Sequence, residues 1–437
     1  MKKSIYKKEL GFLRNAVEIK EKSEKNIITS PTTIKIINIL EEFISKNKFI
    51  CYGGMAINNI LPENKQFYDL ENEIPDYDFF SKNAIEDAKK LADIYYKNGF
   101  ENAEAKSALH EGTYKVYVNF LQVADITQIE NNLFNNLKKQ SINIKNILYA
   151  PPNFLRMSIY LELSRPNGDV SRWEKIYNRL QLLNKYHPIQ NVDCRNKENK
   201  IKNKLDDNIY KNIKNIFINN GCVFFGGYSI EKYKKNINKK SINNNTFYIF
   251  STNLDSIKYE ITNKIKNSTF KLIKSKNKKM PSYLIIYVNN IIYAKIFVTN
   301  ACFSYNNITI NNKKVKIATL YTMLSMYLLF LYVSNGGNKN YYNDLFEYDL
   351  LCTSEFLLDV YKKNRLKNKG IFKNYSLKCY GKQETFEKII LKRNEIYEKL
   401  KSNKNSEEYQ KWFLRYNPDD KKSNKKTVKN KKKSGGS

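Results

Sequence analysis

The chain has 437 residues, 41% apolar and 14% aromatic, which gives two or three domains with an ample core and excludes an intrinsically disordered protein. Its formal net charge is +33, and residues 421–437 supply only eight Lys of that excess, so +25 stays on the rest of the chain. A body this basic calls for a polyanionic partner, nucleic acid first and an acidic membrane surface second.

In chain order, residues 1–28 read as a basic amphipathic helix, and Ser30-Pro31 opens a second helix to about Lys46. Phe49–Tyr52 is a short apolar strand ended by Gly53-Gly54. Ala56–Leu61 is helical until Pro62, and residues 63–74 form a polar loop. Asp76–Phe80 has a strand pattern, and Asn83 caps a helix to about Lys97. Residues 100–128 give three strand-like runs broken around His110–Thr113. Residues 151–186 are helical, interrupted at Arg165–Asp169, and residues 188–206 are linker-like. The first unit is therefore α/β (α+β) with a mixed sheet and flanking helices.

That unit then recurs. Val223–Ile230 echoes Ile50–Ile57 through a shared Gly-Gly, and Tyr248–Asn253 echoes Asp78–Asn83. The spacing from the second Gly is similar, Gly54 to Asp76 against Gly227 to Thr246. Two copies of one domain are predicted. The expected divisions are residues 1–190, 191–415 with C-terminal helices, and a disordered basic tail at 416–437. Thr246 and Tyr248 stand where the first copy has Asp76 and Asp78, so the second copy should be catalytically degenerate. Ile317–Val333 is uncharged for 17 residues but short and dotted with Thr and Ser; a fully buried helix is expected, not a membrane span. Residues 383–413 suit a surface helix.

Six cysteines, at 51, 194, 222, 302, 352 and 379, show no C-x-x-C, and there are two His, so no zinc site is expected. Met1–Leu13 lacks the apolar run of a secretory signal, which points to a reducing cytoplasmic compartment.

The chemistry concentrates in the first copy. A Gly-Gly turn between strand and helix permits a sharp bend and close approach of a ligand to the backbone, and the helix N-terminus attracts anions. In Asp76-Tyr77-Asp78 the two carboxylates face one side of a strand, and Asp125 lies on a later strand amid Val123, Ala124 and Ile126. Three converging carboxylates need a cation, and hard oxygen donors suit two Mg²⁺ or Mn²⁺ ions that also bind substrate phosphates. Arg172, Lys175 and Arg179 share a helix face that could hold a triphosphate or the RNA backbone, and Arg156 is a candidate RNA contact. Trp173 lies on another side of that helix and reads as core.

The order Gly-Gly, Asp-x-Asp, lone Asp resembles the DNA polymerase β-like nucleotidyltransferases. Cys51–Asn58, Asp76–Ser81 and Leu161–Lys175 narrow the resemblance to the poly(A) polymerase catalytic subunits of giant cytoplasmic DNA viruses, with poxvirus and asfarvirus enzymes more distant. It is strongest over residues 45–190 and extends through residue 400. The resemblance implies an active nucleotidyltransferase domain followed by a degenerate one, ATP as donor, an mRNA 3′ end as acceptor, a homodimer, and a host-cytoplasmic viral factory. Under it, Asp76, Asp78 and Asp125 hold the metal ions, and Gly53, Gly54 and Met55 receive phosphates. One departure is Met55, where the superfamily often has a serine hydroxyl; here backbone N–H groups must serve. Another RNA 3′-nucleotidyl transfer, or a non-catalytic RNA-binding or processivity role, remains the alternative.

Overall fold

The structure, a computed structural model, describes residues 8–20, 30–69, 74–189, 205–234, 246–274, 281–299, 301–333 and 347–419. The chain forms two compact units, Met1–Pro151 with Ile389–Ser437, and Pro152–Lys388. The division therefore falls at Pro151 and not at residue 190, and residues 389–437 group with the first unit instead of the second. Most of the expected linker at 188–206 and nearly all of the basic tail lie outside the described residues, as do the two ends of the N-terminal helix, which is seen over 8–20.

In the first unit α1 (Pro31–Asn47) starts where Ser30 Oγ accepts the Thr33 N–H with Pro at the first turn, and it ends at Lys48 in a left-handed conformation. Its buried stripe is Ile36, Leu40, Phe43 and Ile44. Then come β1 (Ile50–Tyr52), α2 (Gly53–Ile60), β2 (Tyr77–Ser81), α3 (Ala84–Lys97), β3 (Ala103–Ser107), β4 (Thr113–Val118), β5 (Leu121–Gln128), α4 (Asn131–Gln140), β6 (Ile142–Ile144) and β7 (Ile147–Tyr149). The mixed sheet runs β3-β4-β5-β2-β1-β7-β6, with the strand Arg415–Tyr416 added beside β3. Strand alternation gives the sheet two unlike faces. Ala105, Val116, Ala124 and Phe79 are fully buried on one. Lys106, Lys115, Asp125 and Asp78 stand on the other.

The second unit holds α5 (Pro152–Leu163), α6 (Trp173–Tyr186) and α7 (Asp207–Asn219), followed by β8 (Val223–Phe224), α8 (Gly227–Lys234), β9 (Phe247–Ser251) and α9 (Leu254–Lys264). Next are β10 (Ser268–Ile273), β11 (Tyr283–Val288), β12 (Ile291–Val298), β13 (Phe303–Ile310), β14 (Lys313–Ala318), α10 (Leu320–Val333), α11 (Glu347–Asn364) and β15 (Cys379–Tyr380). This sheet runs β10-β11-β12-β9-β8-β14-β13, with β15 beside β13. Element by element it repeats the first: the Gly-Gly strand β8 is antiparallel to β9 and parallel to β14, as β1 is to β2 and β7. The predicted repeat is therefore present, with Gly226-Gly227 at the strand-to-helix turn.

Helix α10 is buried on nearly every side, against α5 and α11. The expected core helix thus starts at Leu320, after β14. No helix among the described residues is long and apolar enough to cross a membrane. Cys302 and Cys379 form a disulfide, and Cys51 and Cys222 are free and buried. That pairing follows from the β13–β15 ladder, in which Ser304 faces Cys379, and could not be read from cysteine spacing.

Candidate active site

The Gly53-Gly54 turn is shaped by what lies beneath it. Tyr52 ends β1 in extended conformation, and Gly53 adopts φ +72°, a region that disfavours a side chain. A Cβ at Gly53 would also overlap Asp78 Oδ2. Two independent constraints therefore fix glycine here, and both bring the helix N-terminus down onto the Asp78 carboxylate. Met55 is buried in the core, so only its backbone N–H can face a ligand.

Register does the rest. Tyr52 on β1 faces Asp78 on β2, and Asp78 faces Asp125 on the parallel strand β5. Adjacent strands lie about 4.8 Å apart, so the two carboxylates stand side by side on one row. Asp76, two residues before Asp78 and exposed, lies on the approach to the same face. Their mutual field is visible in two groups. Burial raises the Asp125 carboxyl above its usual range, Lys115 opposes the rise, and Asp76 adds to it. Burial raises the Tyr52 phenol, followed by the charges of Asp78, Asp125 and Asp76. All three predicted carboxylates thus act on one hydroxyl, which is held 2.8 Å from Thr127 Oγ1 and stays protonated at neutral pH. Tyr52 is fixed from its other side by a parallel stack on Phe80, centroids 4.0 Å apart.

Like charges set next to each other across strands are destabilising without a countercharge. Lys115 supplies part of it. Its Nζ donates to Asp125 Oδ2 at 3.0 Å and to Gln122 Oε1 at 2.8 Å, and Gln122 Nε2 donates to Asp125 Oδ1 at 3.0 Å. Sequence reading missed Lys115, Gln122 and Tyr52. The signal was the ladder register, which places Lys115 opposite Asp125 and is invisible before the strands are paired. Among the described residues no group of three or more His, Cys, Asp or Glu side chains forms a ready metal cage. The donor set nevertheless suits a hard divalent cation, being all carboxylate oxygen with one lysine as its internal countercharge.

The remaining predicted residues lie in the second unit. Arg172, 58% exposed at its side chain, approaches Glu162 with Nε–Oε1 at 3.5 Å. Burial raises the Glu162 carboxyl, and Arg172, Arg179 and Arg165 counter it, so Arg172 and Arg179 gather around one acid. Lys175 is exposed on α6, which also carries Arg179, whereas Arg172 ends the short 3-10 turn just before that helix. Arg156 is a correction. It is fully buried in α5, donating from Nε to Pro152 O at 3.4 Å and from Nη2 to His187 O, and burial lowers its basicity. A side chain sealed this way ties helix α5 to the end of α6 and offers nothing to RNA. Trp173 is partly buried and packs on Tyr375 at 5.9 Å, as its core reading implied.

A Gly-Gly turn pressed on the first of two register-matched aspartates is the feature that decides kinship. Residues 38–169 match the poly(A) polymerase catalytic subunit family. That segment contains the turn and all three carboxylates. A protein of African swine fever virus named as a poly(A) polymerase catalytic subunit is 35% identical over 177 residues, covering 39% of this chain and 36% of that protein. One from Acanthamoeba polyphaga mimivirus is 30% identical over 198 residues, covering 44% and 33%. The match thus spans about a third of the length of these curated relatives. Among solved structures, the Megavirus polyadenylate synthase superposes with a TM-score of 0.76 at 18% identity, covering 99% of this chain and 90% of that one. The fold is therefore shared across both units, and the motif resemblance read from the sequence is borne out.

Proposed function

We infer that this chain adds adenylates to an RNA 3′ end from ATP, without a template. The observation that carries the reading is the row Tyr52–Asp78–Asp125 with the Gly53-Gly54 turn seated on it. In this reading the first N–H groups of α2 receive the triphosphate, because a helix N-terminus presents unpaired donors and a positive dipole end. Gly53, Gly54 and the backbone of Met55 do this without a side-chain hydroxyl. Asp76, Asp78 and Asp125 would hold Mg²⁺ or Mn²⁺, which supplies charge neutralisation and activation of the attacking hydroxyl when bound. The 3′-oxygen bonds to the α-phosphorus as pyrophosphate departs and the hydroxyl proton leaves to solvent. Lys115 and Gln122 keep the Asp125 carboxylate oriented, and neutral Tyr52 packs the row without adding a charge. Arg172, Lys175 and Arg179 are assigned to nucleotide phosphates.

Working as a homodimer in the host cytoplasm, at a viral factory, belongs to the same reading and rests on family resemblance. The deciding experiment is primer extension with purified protein, a short RNA, Mg²⁺ or Mn²⁺, and each nucleoside triphosphate separately. ATP-dependent ladders are expected. Extension with CTP or UTP alone would reassign the donor, and no incorporation with either metal would leave a binding protein.

A further inference from the structure

The row that contains the carboxylates does not stop at Asp125. Across the sheet Asp125 faces Lys115, Lys115 faces Lys106, and Lys106 faces Arg415 on the C-terminal strand. Facing residues in neighbouring strands project to the same side. One face of the first sheet therefore reads Arg415, Lys106, Lys115, Asp125, Asp78, Tyr52 from edge to centre. Three cations in file lead to two carboxylates.

Several features keep the cationic end open and in place. Lys106 and Lys115 retain 43% and 29% of their side-chain exposure, and Arg415 is exposed. Lys106 lies over the Tyr117 ring at 5.3 Å and pairs with Glu104, the acid on this face beside it. The two-residue strand is firmly fixed despite its length. Ser107 N–H donates to Leu414 O at 3.0 Å, Tyr416 Oη donates to Asp93 Oδ1 at 2.6 Å, and Arg393 donates from Nη1 to Leu109 O at 3.1 Å. These bonds, to β3, to helix α3 and to the β3–β4 loop, hold the C-terminal segment against the first unit and its last strand, with Arg415, beside β3. In sequence, Arg415 is followed by Tyr416-Asn417-Pro418-Asp419-Asp420 and then by residues 421–437, with eight Lys and no acid.

We propose that Arg415, Lys106 and Lys115 form the track along which the phosphates of a single-stranded RNA acceptor reach the carboxylate pair. The proposal rests on the polyadenylation reading and assigns its two anionic reactants to opposite sides of Asp78–Asp125. The Gly53-Gly54 turn lies on the β1 side. The cationic file lies on the β4 and β3 side and continues to the sheet edge. Three interstrand steps span roughly 14 Å, longer than a triphosphate and equal to about four nucleotides at the ~3.4 Å rise of a stacked strand. A point site for one nucleotide would need neither that length nor an exit at the edge. The second sheet has no such file: there Lys271 is followed by Ile285 and then by buried Lys295.

The test uses the full chain with Lys106→Gln, Arg415→Gln and the double variant, plus Lys106→Glu as the stronger perturbation. Circular dichroism and melting temperature check the fold. RNA affinity is read by fluorescence anisotropy of a labelled oligonucleotide over a salt series without metal, and Michaelis constants are read separately for RNA primer and for ATP. The double Gln variant should reduce the slope of log K against log salt by about 1.4, at ~0.7 for each single-strand phosphate no longer neutralised. The primer KM should rise while the ATP KM stays within about twofold of its original value, and Lys106→Glu should exceed Lys106→Gln. An unchanged slope and primer KM would overturn the track, and a rise in ATP KM alone would hand the row to the triphosphate and overturn it equally. Protein that binds RNA through the row yet extends no primer would sink the polyadenylation reading and leave the track standing.

Discussion

The two sheets of this chain share seven matched strands and differ in the edge that carries the eighth, beside β3 in one and beside β13 in the other, and in one row of side chains. Over the seven matched strands, order and orientation are the same, and so is the irregularity that bends the central hairpin, between Val116 and Tyr117 in one and Ile286 and Tyr287 in the other. After the second strand the turn is built alike: Ser81 Oγ accepts the Asn83 N–H at 2.8 Å, and Ser251 Oγ accepts the Asn253 N–H at 3.1 Å. Gly53 is pressed on Asp78, and Gly226 on Tyr248. Across the matched row, Lys115, Asp125, Asp78 and Tyr52 become Ile285, Lys295, Tyr248 and Phe225. The first set is partly open to solvent; the second is sealed, with Tyr248, Phe225 and Phe297 packed ring against ring and on Phe330 of α10. The fold is carried by the buried face, the turns and the bulge, which both copies keep. The proposed site sits on a face the fold does not need, so one copy could fill it with aromatic rings.

The largest expected effect breaks the first row and spares the fold. Asp76→Ala, Asp78→Ala and Asp125→Ala should each cut primer extension by about 10²–10³-fold or more, on the scale of removing one preorganised charge-stabilising group. RNA affinity should hold in all three, and melting temperature in Asp76→Ala and Asp78→Ala. A variant that extends primers at near-normal rate would remove its residue from the site. The row in the second sheet should fail the opposite way. Tyr248→Ala truncates a fully buried ring and should cost about 3–5 kcal/mol of stability, as buried aromatic truncations do, with kcat per folded molecule unchanged. Denaturant titration beside active-site normalised rates separates the two. A Tyr248 variant that is stable but slow would mean the second sheet takes part in chemistry.

The glycines sharpen the same contrast with a smaller change. Gly53→Ala puts a methyl on Asp78 at a residue with positive φ, so it should distort the carboxylate as well as strain the backbone, by about 1–3 kcal/mol. Activity should fall further than stability. Gly226→Ala meets the Tyr248 backbone N and Cβ at 2.8 Å, and its loss should appear in melting temperature alone. Equal losses of rate from both substitutions would erase the functional distinction between the two turns.

How much of this was legible in the sequence follows from where the signals are local. Gly53-Gly54, Asp76-x-Asp78 and the lone Asp125 carry their meaning within a few residues, and so does the echo in Phe225-Gly226-Gly227. The register of that echo, Tyr248 against Asp78 and Thr246 against Asp76, agrees with the ladder, since Tyr248 faces Lys295 as Asp78 faces Asp125. The strands Ile142–Ile144, Ile147–Tyr149 and Arg415–Tyr416 escaped because two or three residues give no period. Lys115 escaped because its partner lies across a hairpin, on a strand whose register no local pattern announces. Arg156 misled because one charged residue in a helix looks the same whether it faces water or, as here, the backbone carbonyls of Pro152 and His187.

The smallest prediction tests the electrostatics of the first row without catalysis. Burial outweighs the help of Lys115 and raises the Asp125 carboxyl pKa on folding. A group raised this way binds its proton more tightly in the folded state. Its stabilising contribution is complete below the unfolded value, ~3.9 for Asp, and is lost as pH rises through the folded value. At neutral pH, without metal, the folded protein therefore bears the ionised Asp125 at a cost. Asp125→Asn keeps an amide oxygen for Lys115 and removes the charge, so its melting temperature should exceed that of the wild type in EDTA at pH 7. The gap should close on acidification toward the unfolded value. Mg²⁺ should raise the wild type and leave the Asn variant nearly unmoved, because the second sheet, with Lys295 and Tyr248 in the matched positions, gives the ion no other carboxylate pair to join. A variant less stable than wild type at pH 7 would mean that Lys115 already satisfies Asp125, and that the row needs no metal to be at rest.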